Sequence, residues 1–147
     1  MVKTKKKLLT LFSAILLMAT LLIPASANAA VYIPAFEPDS PSNPHIFNVG
    51  DWSYPTLTPG DIDYFKFTNT FSYTRTYTLI VESPTGGYNY FPSHIYGNGI
   101  LAINPIVSNV GYYRYDIVVA PGAVVNIEVE AASWGGYSPN NYFIVLI

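Results

Sequence analysis

The chain has 147 residues, of which 50% are hydrophobic, with 7 basic and 9 acidic side chains and no cysteine. The absence of cysteine excludes disulfides, thiolate catalysis and cysteine-ligated zinc or iron–sulfur sites. The length suits a short targeting segment followed by one domain with a single core.

Residues 1–29 have the three parts of a secretory signal peptide. Lysines near the start precede an apolar run from Leu8 to Ile23, and small residues follow Pro24. Small-x-small sites predict cleavage after Ala27 or Ala29, and we favour Ala29. The alternative is an uncleaved membrane anchor, because the run is close to the minimum length that spans a bilayer. The sequence therefore predicts secretion, with no membrane attachment after cleavage.

Signal removal makes the chain acidic. Only Lys66, Arg75 and Arg114 then remain against all nine acids, which gives a net charge of −6. Three scattered cations cannot neutralise the phosphates of a nucleic acid or an anionic membrane, so we expect neither partner. Export without disulfides is typical of Gram-positive bacteria. We therefore expect an extracellular or cell-wall location in such an organism.

Residues 30–45 form a proline-rich leader. Each proline removes a backbone donor and fixes φ, which predicts an extended segment that either follows the domain or lies in solvent. We expect the folded domain to cover residues 46–147 and to begin with a short strand that starts at Ile46 and ends near Gly50.

A turn at Pro59 and Gly60 leads directly into an alternating aromatic strand. One face carries Asp63, Phe65 and Phe67, and the other carries Ile62, Tyr64 and Lys66. The first face is largely apolar and the second is mixed. The segment therefore predicts a half-buried strand that forms one side of the core.

Two further predicted strands follow in the middle of the chain. Residues 76–82 alternate and end at a Ser-Pro-Thr-Gly-Gly stop, and the short polar connection over residues 69–75 predicts a hairpin. Residues 88–98 predict a loop rich in glycine, asparagine and aromatic residues. A short strand is expected over residues 99–104.

The last third of the chain gives the clearest pattern. Alternating runs over residues 113–119 and 124–131 flank a Pro-Gly turn, which predicts a second hairpin. A glycine-rich loop then precedes a closing apolar strand over residues 142–147. No segment after the signal shows a sustained helical period. The sequence therefore predicts an all-β antiparallel β-sandwich or jelly roll.

The sequence GDIDYFKF, from Gly60 to Phe67, resembles the G-D-x-D-W/Y-F/Y-x-F signature of bacterial pre-peptidase C-terminal domains. Residues 77–81 and the pattern after Ala120 are also similar to that family, whose members are β-sandwich appendages of many secreted peptidases. The resemblance implies a jelly-roll sandwich with a role in adhesion, substrate targeting or secretion, without catalysis. Residues 88–110 depart from the family pattern, and between the signal peptide and the sandwich we expect no room for a peptidase domain.

Asp61 and Asp63 are the candidate metal ligands, because alternation places both carboxylates on one side of the strand. With Asp51 or loop carbonyls they would form an oxygen-rich calcium site. No loop of regularly spaced calcium ligands is present. The alternative is structural: Asp61 closes the turn, and Asp63 accepts a backbone hydrogen bond or pairs with Arg75 or Arg114.

Aromatic side chains are concentrated in two predicted loops. Flat amphipathic rings bind sugars or extended peptides with little loss of side-chain freedom. If the loops share one end of the sandwich, their rings form one ligand-binding surface. The alternative is that several rings close the ends of the core, a role that is also considered for Trp52. The candidate ligand-binding residues are Tyr88, Tyr90, Tyr96, Trp134 and Tyr137.

No catalytic motif is recognisable. His45 and His94 are the two histidines, and neither lies in a nucleophile-elbow or HExxH pattern. We therefore expect a non-enzymatic module that binds an extracellular polysaccharide, cell-wall polymer or surface protein through its aromatic loops. The alternative is a structural or self-assembling surface protein, because low charge, abundant tyrosine and a bare apolar last strand favour pairing with another copy.

Overall fold

The computed structural model describes residues 30–33, 39–132 and 136–147. Nine β-strands and no helix occur in these ranges, which therefore include no helix able to cross a membrane. The strands are β1 (His45–Phe47), β2 (Trp52–Ser53), β3 (Asp63–Thr68), β4 (Arg75–Glu82), β5 (Tyr90–Tyr96), β6 (Ile100–Asn109), β7 (Tyr112–Val119), β8 (Val124–Ala131) and β9 (Phe143–Leu146).

Two sheets face each other across a shared core. One has four strands in the order β1-β3-β8-β5, and the other has five in the order β2-β9-β4-β7-β6. The β1–β3 pair is parallel, and the other strand pairs are antiparallel. The prediction of an all-β sandwich is confirmed.

The core is built from the inward faces that alternation predicts. On β3, Asp63, Phe65 and Phe67 are buried, while the residues between them are partly exposed. Tyr77 of β4 is also buried, and its ring lies 4.9 Å from that of Phe67. Apolar burial stabilises by about 25 cal/mol per Å², and this packing is the main support for a domain without disulfides.

Both predicted hairpins are wrong. The connections β3–β4 and β7–β8 each cross from one sheet to the other. They are held to each other at one end of the sandwich, because Asn69 N donates to Ala123 O and Gly122 N donates to Asn69 O, each at 2.9 Å. A turn sequence shows where the chain reverses, but burial of the strand faces decides which partners pair.

The loop predicted over residues 88–98 is largely strand β5, and the strand that follows it is longer than expected. Pro92 lies within β5 and misled the prediction, since proline disrupts a central strand. Here β5 is an edge strand that pairs, among the described strands, only with β8, and its register shifts between Pro92 and His94. At an edge, a missing backbone donor costs no ladder hydrogen bond.

The start of the domain also differs from the prediction. The strand expected from Ile46 to near Gly50 ends already at Phe47, and His45 belongs to it and not to the leader. A separate short strand, β2, follows in the other sheet. The leader residues before Pro34 follow the domain: Ile33 N donates to Trp52 O at 2.8 Å, and Trp52 N donates to Val31 O at 3.1 Å.

The last strand is not a bare edge. β9 lies between β2 and β4 and pairs with both, which corrects the expectation that it would offer an unpaired edge to another copy. The outermost strand on the far side of this sheet is β6.

Candidate functional site

The predicted ligand-binding tyrosines do not form one surface. Tyr90 is fully buried in the core, where its ring meets that of Tyr142 edge-on at 5.6 Å. Its hydroxyl accepts a hydrogen bond from Ser138 N at 2.7 Å. Tyr90 therefore has no surface for a ligand, and its assignment as a binding residue is corrected to a core role.

The remaining predicted residues are dispersed. Tyr88 precedes β5 and Tyr96 ends it, and a strand of this length separates its ends by about 20 Å. Tyr137 is exposed, and its hydroxyl accepts a hydrogen bond from Gly60 N at 2.9 Å. Trp134 lies outside the described residues. Tyr96 therefore lies at the opposite end of β5 from Tyr88, so these two tyrosines do not form one platform.

A continuous row of rings instead lies at the β2 edge of the five-stranded sheet. Neighbouring ring centroids are 4.9 Å apart for Tyr32 and Trp52, 5.5 Å for Trp52 and Tyr54, and 5.3 Å for Tyr54 and Phe143. We call these four residues the aromatic strip. Tyr32 and Tyr54 are each 45% exposed, so the strip is accessible from solvent.

Backbone pairing places the strip on the outer face of the sheet. Trp52 lies opposite Val145, while the next residue, Ser53, faces inward and is fully buried. The Ser53 hydroxyl donates to Ile33 O at 2.6 Å, which holds the leader against β2 and brings Tyr32 beside Trp52. Phe143 joins from β9, two residues from the partner of Trp52.

A buried carboxylate anchors this arrangement. Asp51 is 2% exposed and accepts hydrogen bonds from Asn48 N at 2.7 Å and from Asn48 Nδ2 at 3.0 Å. Its other oxygen accepts from Val31 N at 3.3 Å. Asp51 therefore joins the leader to the turn between β1 and β2, and it is not one of the grouped acids described below.

An open cleft of about 450 Å³ adjoins the strip at Tyr54 and Phe143. The Asn141 side-chain amide donates to Tyr54 O, which fixes the two walls relative to each other. Aromatic surface beside a carboxylate and two amides suits a ligand with both apolar faces and hydrogen-bonding groups. The other lining residues are Glu82, Ser83, Pro84, Thr85 and Asn140.

The two predicted metal ligands are close together, and a third acid joins them. Carboxylate oxygens of Asp39, Asp61 and Asp63 lie within 4.8 Å of one another. Tyr64 N donates to Asp39 Oδ2 at 2.6 Å, which brings this leader residue to β3. Sequence reasoning missed Asp39 because no local pattern links the leader to this strand. Grouped carboxylates are the ligands that calcium prefers.

The buried member of this group, Asp63, accepts a 2.6 Å hydrogen bond from the Tyr142 hydroxyl. Burial raises the pKa of Tyr142 well above its usual value, and the charge on Asp63 acts in the same direction. The phenol therefore remains protonated and continues to donate. The turn before Asp63 closes through the backbone, since Asp61 N donates to Thr58 O at 3.0 Å.

The two histidines lie on opposite edge strands of the four-stranded sheet. His45 is buried against the Phe65 ring, and its Nε2 is 3.5 Å from Asp39 Oδ2. Burial lowers the pKa of His45. His94 is exposed, with Nδ1 3.1 Å from Glu128 Oε2. The histidines are therefore in separate surroundings.

The sequence matches no protein-family model and no curated protein. The fold is similar to that of the pre-peptidase C-terminal domain of a collagenase from Bacillus anthracis, with a TM-score of 0.53 and 13% sequence identity. The similarity covers 77% of this chain and 100% of that domain. The chain therefore has a β-sandwich fold like that of a pre-peptidase C-terminal domain, as the motif at Gly60–Phe67 implies.

Proposed function

We propose that this protein is a secreted, non-enzymatic module that binds an extracellular polymer through the aromatic strip and the adjoining cleft. The observation that carries the proposal is the unbroken row of four rings, joined by three ring contacts, at the sheet edge. It replaces the loop surface expected from sequence, because Tyr90 is buried and Tyr88 and Tyr96 are far apart.

The shape of the strip favours a long ligand. Neighbouring rings are tilted by 44° to 79° relative to each other, so they present alternating faces and edges and not one plane. The path through the four ring centroids is roughly 16 Å long, so the strip contacts at most about four residues of an extended peptide or a similar length of glycan. The cleft end adds a carboxylate and two amides to the tyrosine hydroxyls and the indole N–H of the strip.

The acidic charge of the chain favours some classes of polymer over others as the ligand. The secreted chain carries three basic and nine acidic residues, and Glu82 lines the cleft. Anionic polymers are therefore repelled, whereas neutral polysaccharides and protein chains are not. The similar domain in a collagenase makes collagen a suitable protein polymer for testing.

The experiment is a depletion assay on insoluble chitin, cellulose, peptidoglycan and collagen, using protein without its signal peptide. Tyr54→Ala removes a central ring of the strip, and Tyr73→Ala is the matched control, since these tyrosines are 45% and 56% exposed. We expect one polymer to retain the parent and the control, with about tenfold weaker binding by Tyr54→Ala. Retention on none of the four, or equal losses, contradicts the proposal.

We also propose that calcium binds at Asp39, Asp61 and Asp63. The approach of three carboxylates to within 4.8 Å supports this, because like charges so close are stabilised by a shared cation. Calcium takes six to eight oxygen ligands, so other oxygens would complete the coordination. The metal would link Asp39 of the leader to Asp63 of β3. Asp63 also accepts the hydrogen bond from the Tyr142 hydroxyl.

A further inference from the structure

Strand β6 is an unusually exposed sheet edge. It has ten residues and, within the part of the chain that the structure describes, pairs only with β7. The other edge strands are shorter: β1, β2 and β5 have three, two and seven residues. Proteins commonly protect long edges with charged side chains, but β6 has none.

The apolar side chains of β6 reach solvent because the four-stranded sheet does not extend over them. Ile103 and Ile117 are cross-strand neighbours on the same face, yet Ile117 is fully buried and Ile103 is 38% exposed. Leu101 and Ile106 of β6 are 62% and 50% exposed, and Val110, in the turn that follows β6, is 64% exposed. We call these four exposed residues, Leu101, Ile103, Ile106 and Val110, the β6 patch.

We propose that the β6 patch is the docking surface for a second copy of this chain. No charged residue occurs from Ile95 to Tyr113, whereas the secreted chain as a whole carries three basic and nine acidic residues. Two copies repel each other elsewhere, and the Coulombic cost is lowest where this uncharged tract faces its own copy.

Packing about a twofold axis satisfies both copies at once, because the same apolar residues form each half of the interface. Side chains, and not a continuous sheet, make the contact. Pro105 lacks a backbone donor, and the pairing of β6 with β7 shifts register between Ile100 and Ala102 and between Pro105 and Val107. These features prevent an uninterrupted hydrogen-bonded ladder between copies.

A surface of this size supports a weak interface. A ten-residue strand is about 33 Å long, and interfaces that bury less than about 1,200 Å² in total are typically transient. We therefore expect a dimer at about 300 µM that dissociates to monomer at about 1 µM.

Sedimentation velocity over that concentration range tests the proposal. Ile106→Lys adds a charge to the patch, and Ile46→Lys on β1 is the control, since these isoleucines are 50% and 55% exposed. We expect Ile106→Lys to remain monomeric and Ile46→Lys to dimerise like the parent. A parent that is monomeric throughout, growth beyond a dimer, or equal behaviour of the variants overturns the proposal.

Because the chain has no cysteine, single cysteines report the geometry directly. Mild oxidation of Ile103→Cys at 300 µM should give a covalent dimer, whereas Tyr73→Cys, outside the patch, should not. Equal cross-linking at both positions overturns the proposal. The proposal is also overturned if the protein stays monomeric and sediments with neutral phosphatidylcholine vesicles, because that result assigns the β6 patch to a lipid surface.

The dimer proposal is independent of polymer binding. The aromatic strip lies at the β2 edge and the β6 patch at the opposite edge, four strand spacings or about 19 Å away. Ile106→Lys should therefore leave the affinity of the monomer for the polymer unchanged. Tyr54→Ala should leave dimerisation unchanged, so either proposal can fail without the other.

Discussion

The hydroxyl of Tyr142 links the core to the acidic group, and Tyr142→Phe removes it with little change in shape. The substitution deletes the 2.6 Å hydrogen bond to Asp63 Oδ2 and keeps the ring that meets Tyr90 at 5.6 Å. Both Tyr142 and Asp63 are fully buried, so water does not readily replace the lost donor. We expect a loss of about 1.5–3 kcal/mol in the free energy of unfolding.

For a domain of this length, each kcal/mol lowers Tm by about 4 °C, so Tyr142→Phe should melt roughly 6–12 °C below the parent. The assay is thermal unfolding at pH 7 monitored by circular dichroism. Tyr73→Phe is the control, because that ring is 56% exposed. A Tyr142→Phe Tm within about 1 °C of the parent refutes the proposed contribution of this hydrogen bond.

The pH dependence gives a second readout of the same side chain. Burial raises the pKa of Tyr142, so above its unfolded value of about 10 the unfolded chain releases the proton before the folded chain does. Its contribution to stability is therefore complete below pH 10 and is lost as the pH rises further. The pKa of Tyr77 and Tyr90 is also raised by burial, so Tyr142→Phe should make the alkaline loss shallower without abolishing it.

Three further predictions concern turns, acid and metal. In urea unfolding, Gly97→Ala should lower the free energy of unfolding far more than Gly60→Ala. Both glycines have positive φ, but a Cβ added at Gly97 would lie 2.1 Å from a backbone oxygen, whereas a Cβ added at Gly60 has no neighbour within 4 Å. Acidification below about pH 6.5 should lower the Tm of the parent, because burial lowers the pKa of His45 and the unfolded chain therefore binds the proton before the folded chain does. In His45→Gln this group is absent, so the same acidification should lower the Tm less. Calcium should raise Tm modestly in the parent but not in Asp61→Ala/Asp63→Ala, and unchanged melting with EDTA contradicts the metal site.

The alternation of apolar and polar residues predicted individual strands well, because it depends only on which face of the strand each side chain occupies. Phe65 and Phe67 are buried as expected from the order of residues in β3 alone. The partners of each strand depend on the whole core, and this is why the turn at Pro121 and Gly122 joins two sheets and not one hairpin. Parallel pairing of β1 with β3 has no sequence signal at all.

The candidate binding surface could not be read from the sequence for the same reason. Tyr32, Trp52, Tyr54 and Phe143 come from three separated parts of the chain, and only the pairing of the leader and β9 with β2 brings them together. Tyr90 shows the opposite error, since its loop-like surroundings hide its place in β5. Composition identified a tyrosine-rich protein, but topology decides which rings reach solvent.

Polymer binding at the strip is tested most directly by the fluorescence of Trp52, one of two tryptophans in the chain. Trp134→Phe leaves Trp52 as the single reporter, and a soluble fragment of the retaining polymer is then titrated into the protein. We predict a saturable blue shift in emission, at concentrations that match those of retention on the insoluble polymer. Retention with unchanged Trp52 emission would contradict the account and place the binding surface elsewhere.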